Sequence, residues 1–112
     1  MKKHQAVAAL AALAQDNRLD VFRLLVEAGR EGMPAGAVAD ALKLAPNTLT
    51  FHFDRLREAG LVTVRRDGRS MIYAARYDTM NALLGYLTEN CCRGPAASTG
   101  LATRTRQKEP VS

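Results

Sequence analysis

No stretch of this sequence approaches the roughly 20 consecutive apolar residues that a helix needs to cross a bilayer. The 112 residues contain only two cysteines and two histidines. Two thiols that are neighbours, Cys91 and Cys92, are no disulfide framework, and no Cys-x-x-Cys pair sits in a βαβ setting as a thiol oxidoreductase requires. The histidines, His4 and His52, lie far from the cysteines in sequence. No Ser/His/Asp or Cys/His grouping has a supporting partner, so the chain is not expected to be an enzyme. There is no internal repeat, which excludes a solenoid. The opening MKKHQAVAALAALAQDNR has the outline of a signal peptide, with two lysines before an alanine-rich run. Its hydrophobicity is weak and it continues into an amphipathic pattern. It is therefore read as part of the fold, and the protein as cytoplasmic, with reduced thiols and no membrane partner.

Charge is unevenly distributed along the chain. Through Cys92 there are 12 Lys/Arg against 10 Asp/Glu, leaving +2; beyond it there are 4 against 1, leaving +3. From Arg93 onward the residues are Pro, Ala, Ser, Thr, Gly and charge with no apolar stripe, so residues 93–112 are read as a disordered basic tail and residues 1–92 as the folded domain. The domain is only mildly basic, so the location of its arginines matters more than their sum.

Periodicity divides the domain into five helices and a two-stranded hairpin. Val7, Leu10, Ala11 and Ala14 recur at helical spacing over residues 5–14. Asp16 or Asn17 is placed to cap a second helix with Leu19, Phe22, Leu25 and Val26 along one stripe, closed by Gly29. After a loop, REGMP, residues 35–43 carry Val38, Ala39 and Leu42 as a short third helix. Pro46 suits the first position of a fourth helix, about Pro46 to Ala59, burying Leu49, Phe53 and Leu56 and ended by Gly60. The period then changes. LVTVRR and SMIYAA are strands joined at Asp67-Gly68, a two-residue hairpin signal. Helical spacing resumes after Asp78, read as an N-cap, with Met80, Leu83, Leu84 and Leu87 on one face of a helix that reaches the cysteines. The expected fold is mainly α with a β-hairpin wing, a winged helix-turn-helix of order α-α-α-α-β-β-α.

With Leu49, Phe53 and Leu56 inward, the fourth helix is expected to expose Asn47, Thr48, Thr50, Phe51, His52 and Arg55. Asparagine can bond adenine through two contacts, and threonine offers thymine both a hydroxyl and a methyl. Phe51 is costly in water unless it meets a thymine methyl, a neighbouring helix or the wing. His52, beside Phe53, borders the core or bonds a phosphate. At the wing, Arg65, Arg66 and Arg69 surround a tight turn as a cationic finger suited to phosphates or a narrow minor groove. The expected partner is double-stranded DNA.

Three pieces taken together, ALAQDNRLDVFRLLVEAG, AGAVADALKLAPNTLTFHFDRLREAGLV and RRDGRSMIYAA, resemble the ArsR-type winged-helix repressors, bacterial metal and metalloid sensors. The resemblance spans roughly Ala6 to Cys92. It implies a homodimer built largely from the first and last helices. It also implies binding to an imperfect palindrome in the protein's own promoter, and release when an inducer binds. Arsenic and cadmium sensors of this kind carry cysteines in an ELCVCDL-like segment before the turn, where this chain reads AGAVADALK. Zinc and nickel sensors use Asp and His pairs on the last helix, and no histidine lies there. A further subgroup places vicinal cysteines at the end of the last helix, as in Glu89-Asn90-Cys91-Cys92. Its members have a third cysteine a few residues on, whereas this chain has RGPAASTGLATRTRQ.

Cys91 and Cys92 are therefore the candidate ligands. No constitutive cofactor is expected. Two soft thiolates select thiophilic centres over magnesium or calcium. Arsenite and antimonite each have three positions to give to sulfur. A methylated or aryl arsenical has one position taken by carbon, and two thiols saturate the rest. Trivalent arsenicals are thus the expected inducers, with a tilt toward organoarsenicals. Two other readings stay open: a redox sensor closing a strained disulfide between the same residues, and a module for thiol or metal buffering or for protein interaction that does not touch DNA.

Overall fold

The computed structural model describes residues 1–90. The calls on Cys91, Cys92 and the 93–112 tail lie outside the described residues. Five helices and three strands run in the order α1 (Lys3–Leu13), α2 (Asp16–Ala28), β1 (Met33–Pro34), α3 (Ala35–Leu42), α4 (Pro46–Glu58), β2 (Val62–Asp67), β3 (Ser70–Ala75) and α5 (Tyr77–Thr88). The expected mainly helical winged helix-turn-helix is present. Among these described residues no helix is long and apolar enough to cross a membrane.

The core is assembled around α4. Leu49, Phe53 and Leu56 are buried as the spacing required, together with Val21, Phe22 and Leu25 of α2, Val38 of α3, Leu61, Val62, and Leu83 of α5. Phe53 lies flat on Tyr73 of β3, with ring centroids 3.6 Å apart and planes 4° from parallel. This stack joins the second helix of the helix-turn-helix to the wing. Burial of Tyr73 raises its phenol above the ordinary value near 10, so the ring is neutral at physiological pH.

Helix α1 buries a different face from the one its larger side chains suggested. Ala6, Ala9 and Ala12 are buried, whereas Val7 is 57 % and Leu10 is 42 % exposed. A row of methyl groups lets the helix axis approach the core closely, which Val7 and Leu10 would prevent. Arg18 holds the α1–α2 junction: its Nε donates to the Ala12 carbonyl at 2.7 Å. The cap of α2 is Gln15, whose Oε1 accepts from the Arg18 amide at 2.8 Å, in place of the expected Asp16 or Asn17.

The loop REGMP contains a strand that periodicity could not show. Met33 and Pro34 pair antiparallel with Tyr73 and Ile72, giving a three-stranded sheet of order β1-β3-β2. Two residues carry no alternation to detect, and Pro34 is tolerated because β1 is an edge strand. Gly32 makes the approach possible. Its φ is +78°, and a Cβ there would run into the Tyr73 carbonyl.

Helix α5 begins at Tyr77 with Arg76 as its cap, so Asp78 lies inside the first turn and does not cap it. Its carboxylate sits 3.1 Å from Arg76 and accepts from the Thr79 amide, which holds it below the usual carboxylate pKa. Only Leu83 of the expected stripe is buried; Leu84 and Leu87 are 53 % and 54 % exposed. The helix also stops short of the cysteines. Thr88 bonds back to the Leu84 carbonyl, Glu89 caps in an extended conformation, and Asn90 is left-handed at φ +65°.

Gly32→Ala is expected to destabilise the fold by at least about 2 kcal/mol in urea unfolding, because a left-handed backbone and a backbone collision act together. Gly60→Ala tests the first effect alone. Gly60 has the same φ, +78°, and open space around a Cβ, so about 1 kcal/mol is expected there.

Candidate nucleic-acid interface

The helix-turn-helix is α3 and α4, joined through Lys43–Ala45. Lys43 closes α3 in the left-handed region at φ 57°. Pro46 takes the first position of α4 as expected. The Ala45 cap offers no side-chain acceptor to the helix. The amides of Asn47 and Thr48 therefore point out of the first turn without an intrahelical acceptor, and such amides favour a phosphate.

Of the six α4 residues expected to face outward, five do. Asn47, Thr48, Thr50, Phe51 and Arg55 are exposed. Asn47, Phe51 and Arg55 stand one turn apart along the helix, since residues four apart share a face. The Thr50 hydroxyl donates back to the Pro46 carbonyl at 3.0 Å. Phe51 is 50 % exposed. The Arg55 guanidinium lies 5.1 Å from its ring centroid.

His52 is a correction. It is only 5 % exposed, and neither ring nitrogen has a hydrogen-bond partner among the described residues. It follows Leu49 by three positions and precedes Leu56 by four, and both of those face the core, so helical geometry carries it inward with them. Desolvation, and then the charge of Arg18, hold its pKa below the ordinary 6.5. A neutral imidazole inside the fold cannot serve as the phosphate contact expected of it.

Charge on α4 is internally balanced. Arg55 meets Glu58 at 3.2 Å and Arg57 meets Asp54 at 3.6 Å. Both pairs are exposed and worth little to stability, so either arginine can exchange its carboxylate for a phosphate. The uncompensated cations lie on the wing. Asp67 pairs with Ser70, so the turn residues are Gly68 and Arg69, one position later than the expected Asp67-Gly68. Gly68 takes φ +63°, as the first residue of a type II′ loop does. The shift puts Arg69 at the tip and Arg66 on the strand opposite Met71. Among the described residues neither side chain makes a hydrogen bond or ion pair. Arg65 is partly committed, donating from Nη1 to the Glu31 carbonyl at 3.0 Å, a link that braces the wing against the loop before β1. Periodicity could not foresee this contact, because its partner is a backbone atom 34 residues away.

Among the described residues no group of three or more His, Cys, Asp or Glu side chains could hold a metal ion. A polar helix face beside a cationic hairpin, locked together by an aromatic stack, defines the class: a winged helix-turn-helix built to meet duplex DNA.

Known proteins agree. A family model described as a helix-turn-helix domain matches residues 13–65. The chain is 36 % identical over 77 residues to an uncharacterised HTH-type transcriptional regulator, YceK of Bacillus subtilis, covering 68 % of this chain and 76 % of that one. It is 33 % identical over 92 residues to the nodulation protein NolR of Rhizobium meliloti, covering 79 % and 73 %. Among solved structures, an ArsR-like transcriptional regulator from Rhodococcus sp. RHA1 aligns with a TM-score of 0.67 at 25 % identity, over 75 % of this chain and 76 % of that one. The homodimeric winged helix-turn-helix DNA-binding domain of Mb0332 from Mycobacterium bovis aligns at 0.63 and 26 % identity, over 78 % and 81 %. The chain belongs to the ArsR family of winged helix-turn-helix transcriptional regulators.

Two outcomes are expected. Arg66→Ala and Arg69→Ala should each weaken binding to any duplex alike and lower the slope of log affinity against log salt by about 1, read by anisotropy titrations. His52 gains a proton less readily when folded than unfolded. Its contribution to stability is therefore full above about pH 6.5 and declines as pH falls below it. His52→Leu should flatten urea-measured stability against pH in that acidic window; an unchanged slope would place its origin elsewhere.

Proposed function

We propose that this protein is a homodimeric repressor that holds an operator in its own promoter and lets go when a trivalent arsenical bridges Cys91 and Cys92. The observation that carries the sensing half is the thiol pair itself, placed three residues after α5 ends at Thr88. Two adjacent soft ligands satisfy an arsenic atom that already carries one carbon. Each thiol displaces a hydroxide from arsenic as water, forming two As–S bonds without any redox partner. Arsenite and antimonite have a third position to fill from a small thiol or solvent, which favours the organoarsenical.

The DNA half rests on the exposed Asn47, Thr48, Phe51 and Arg55 and on Arg66 and Arg69 at the wing. Dimerisation is supported by the apolar side chains that α1 and α5 leave uncovered: Val7, Leu10, Leu84 and Leu87. These two helices pack against each other within one protomer, so a second copy can cover both at once. The similar winged helix-turn-helix domain of Mb0332 from Mycobacterium bovis is homodimeric. A dimer of this kind places two α4 helices in successive major grooves, about 10 base pairs apart.

Release follows from position. A clamp at residues 91 and 92 pulls on the chain leaving the last turn of α5, where Leu84 and Leu87 would meet the partner. A coupling of about 1–3 kcal/mol there suffices for a several-fold to hundredfold loss of operator affinity.

Arsenite, methylarsenite, antimonite, cadmium, zinc and peroxide should be compared for release of the protein from its own promoter in a mobility-shift assay. Methylarsenite is expected to act at the lowest concentration. Cys91→Ser and Cys92→Ser should bind the promoter as the parent does and no longer respond. A serine variant that still releases normally would end the thiol reading, and release by peroxide alone would favour the redox one.

A further inference from the structure

Phe51 is the one large apolar side chain on the exposed face of α4, and nothing else in the fold explains it. The stacking partner of the wing, Tyr73, is taken by Phe53. The ring meets the edge of His52, at 5.8 Å between centroids, and the Arg55 guanidinium. Both come from α4 itself. Arg55 is in turn held by Glu58. Phe51 thus lies between the buried imidazole of His52 and the exposed guanidinium of Arg55, with half its surface still in water.

We propose that Phe51 is a specificity-determining residue that reads the C5 methyl group of thymine in the major groove. The inference rests on the DNA-binding reading above. A phenyl ring has no donor or acceptor. Of the features that base pairs present in the major groove, only the thymine methyl is apolar. The ring occupies the helix position one turn after Asn47, a residue suited to adenine. An Asn-Phe pair on one helical row therefore reads a run of A·T pairs from both strands, adenine by its hydrogen-bonding edge and thymine by its methyl. Arg55 adds a second consequence. Resting on the ring, it is held at the level of the next base or phosphate along the groove, so removing the ring loosens the guanidinium as well.

The test separates the methyl from everything else about the base. The promoter fragment upstream of the gene is amplified twice, once with thymidine and once with deoxyuridine, which pairs identically and lacks only the methyl. Affinities of the parent protein, Phe51→Ala and Phe51→Gln are measured for both fragments. Each methyl lost from an apolar contact should weaken the parent about fourfold. Both variants should bind the thymidine fragment more weakly and show a thymidine-to-deoxyuridine ratio near one. The glutamine variant keeps the length of the side chain, and far-ultraviolet circular dichroism confirms that each variant is folded. A parent ratio near one, or variants that retain the parent's ratio, would overturn the inference while leaving DNA binding intact. A ring covered instead by a second copy of the chain would give the same insensitive parent. Failure of the parent to select its promoter over unrelated DNA would overturn the DNA-binding reading and this inference together.

Discussion

The flat contact between Phe53 and Tyr73 is the constraint on which the DNA-facing surface depends. One ring belongs to the inward arc of α4. The other belongs to β3, where Tyr73 is paired with Met33 on one side and Val64 on the other. The stack therefore fixes the second helix of the helix-turn-helix to the middle strand of the wing's sheet. The polar groups of α4 and the arginines of the hairpin are then carried together as one packed unit. Gly32 completes the arrangement by letting the chain pass tight against the Tyr73 carbonyl.

Electrostatics divides the labour between these two elements. The arginines on the last turns of α4 are matched by its own carboxylates, so the helix presents hydrogen-bonding and apolar groups at little net charge. The wing brings uncompensated cations. In protein–DNA complexes phosphate contacts supply much of the affinity and base contacts the sequence preference, and this chain places its unpaired wing cations and its neutral polar groups on separate elements. Arg65 shows that a cationic cluster in a sequence is not uniform: all three arginines are exposed, but Arg65 bonds to the loop before β1 while the side chains of Arg66 and Arg69 make no such contact among the described residues.

Much of this was legible beforehand. The four- and three-residue spacings of Leu49, Phe53 and Leu56 located the buried side of α4, and the change to a period of two located the hairpin. The same spacing rule also places His52 inward; its polarity argued for the surface, but an imidazole can enter a core as the neutral form when burial and a nearby cation lower its pKa. Strand β1 escaped notice because two residues have no period. The wing turn was misplaced by one residue because Asp67-Gly68 and Gly68-Arg69 both suit a tight loop, and the pairing of Asp67 with Ser70 selects the second. The end of α5 was overestimated because nothing in TENCC breaks a helix as Pro or Gly would; a back-bonded threonine and a left-handed asparagine end it instead.

By itself the sequence determined the order of the helices and the hairpin, the polar and cationic groups carried by the fourth helix and the hairpin, and the chemistry of two adjacent thiols. These follow from local rules: side-chain spacing, turn residues and the valence of sulfur. Only the tertiary structure decided which face of each helix is covered. Periodicity gives the angle between side chains on one helix, but covering is done by neighbours. Three alanine methyls let α1 dock where valine and leucine could not, leaving Val7 and Leu10 outside, as packing around Leu83 left Leu84 and Leu87.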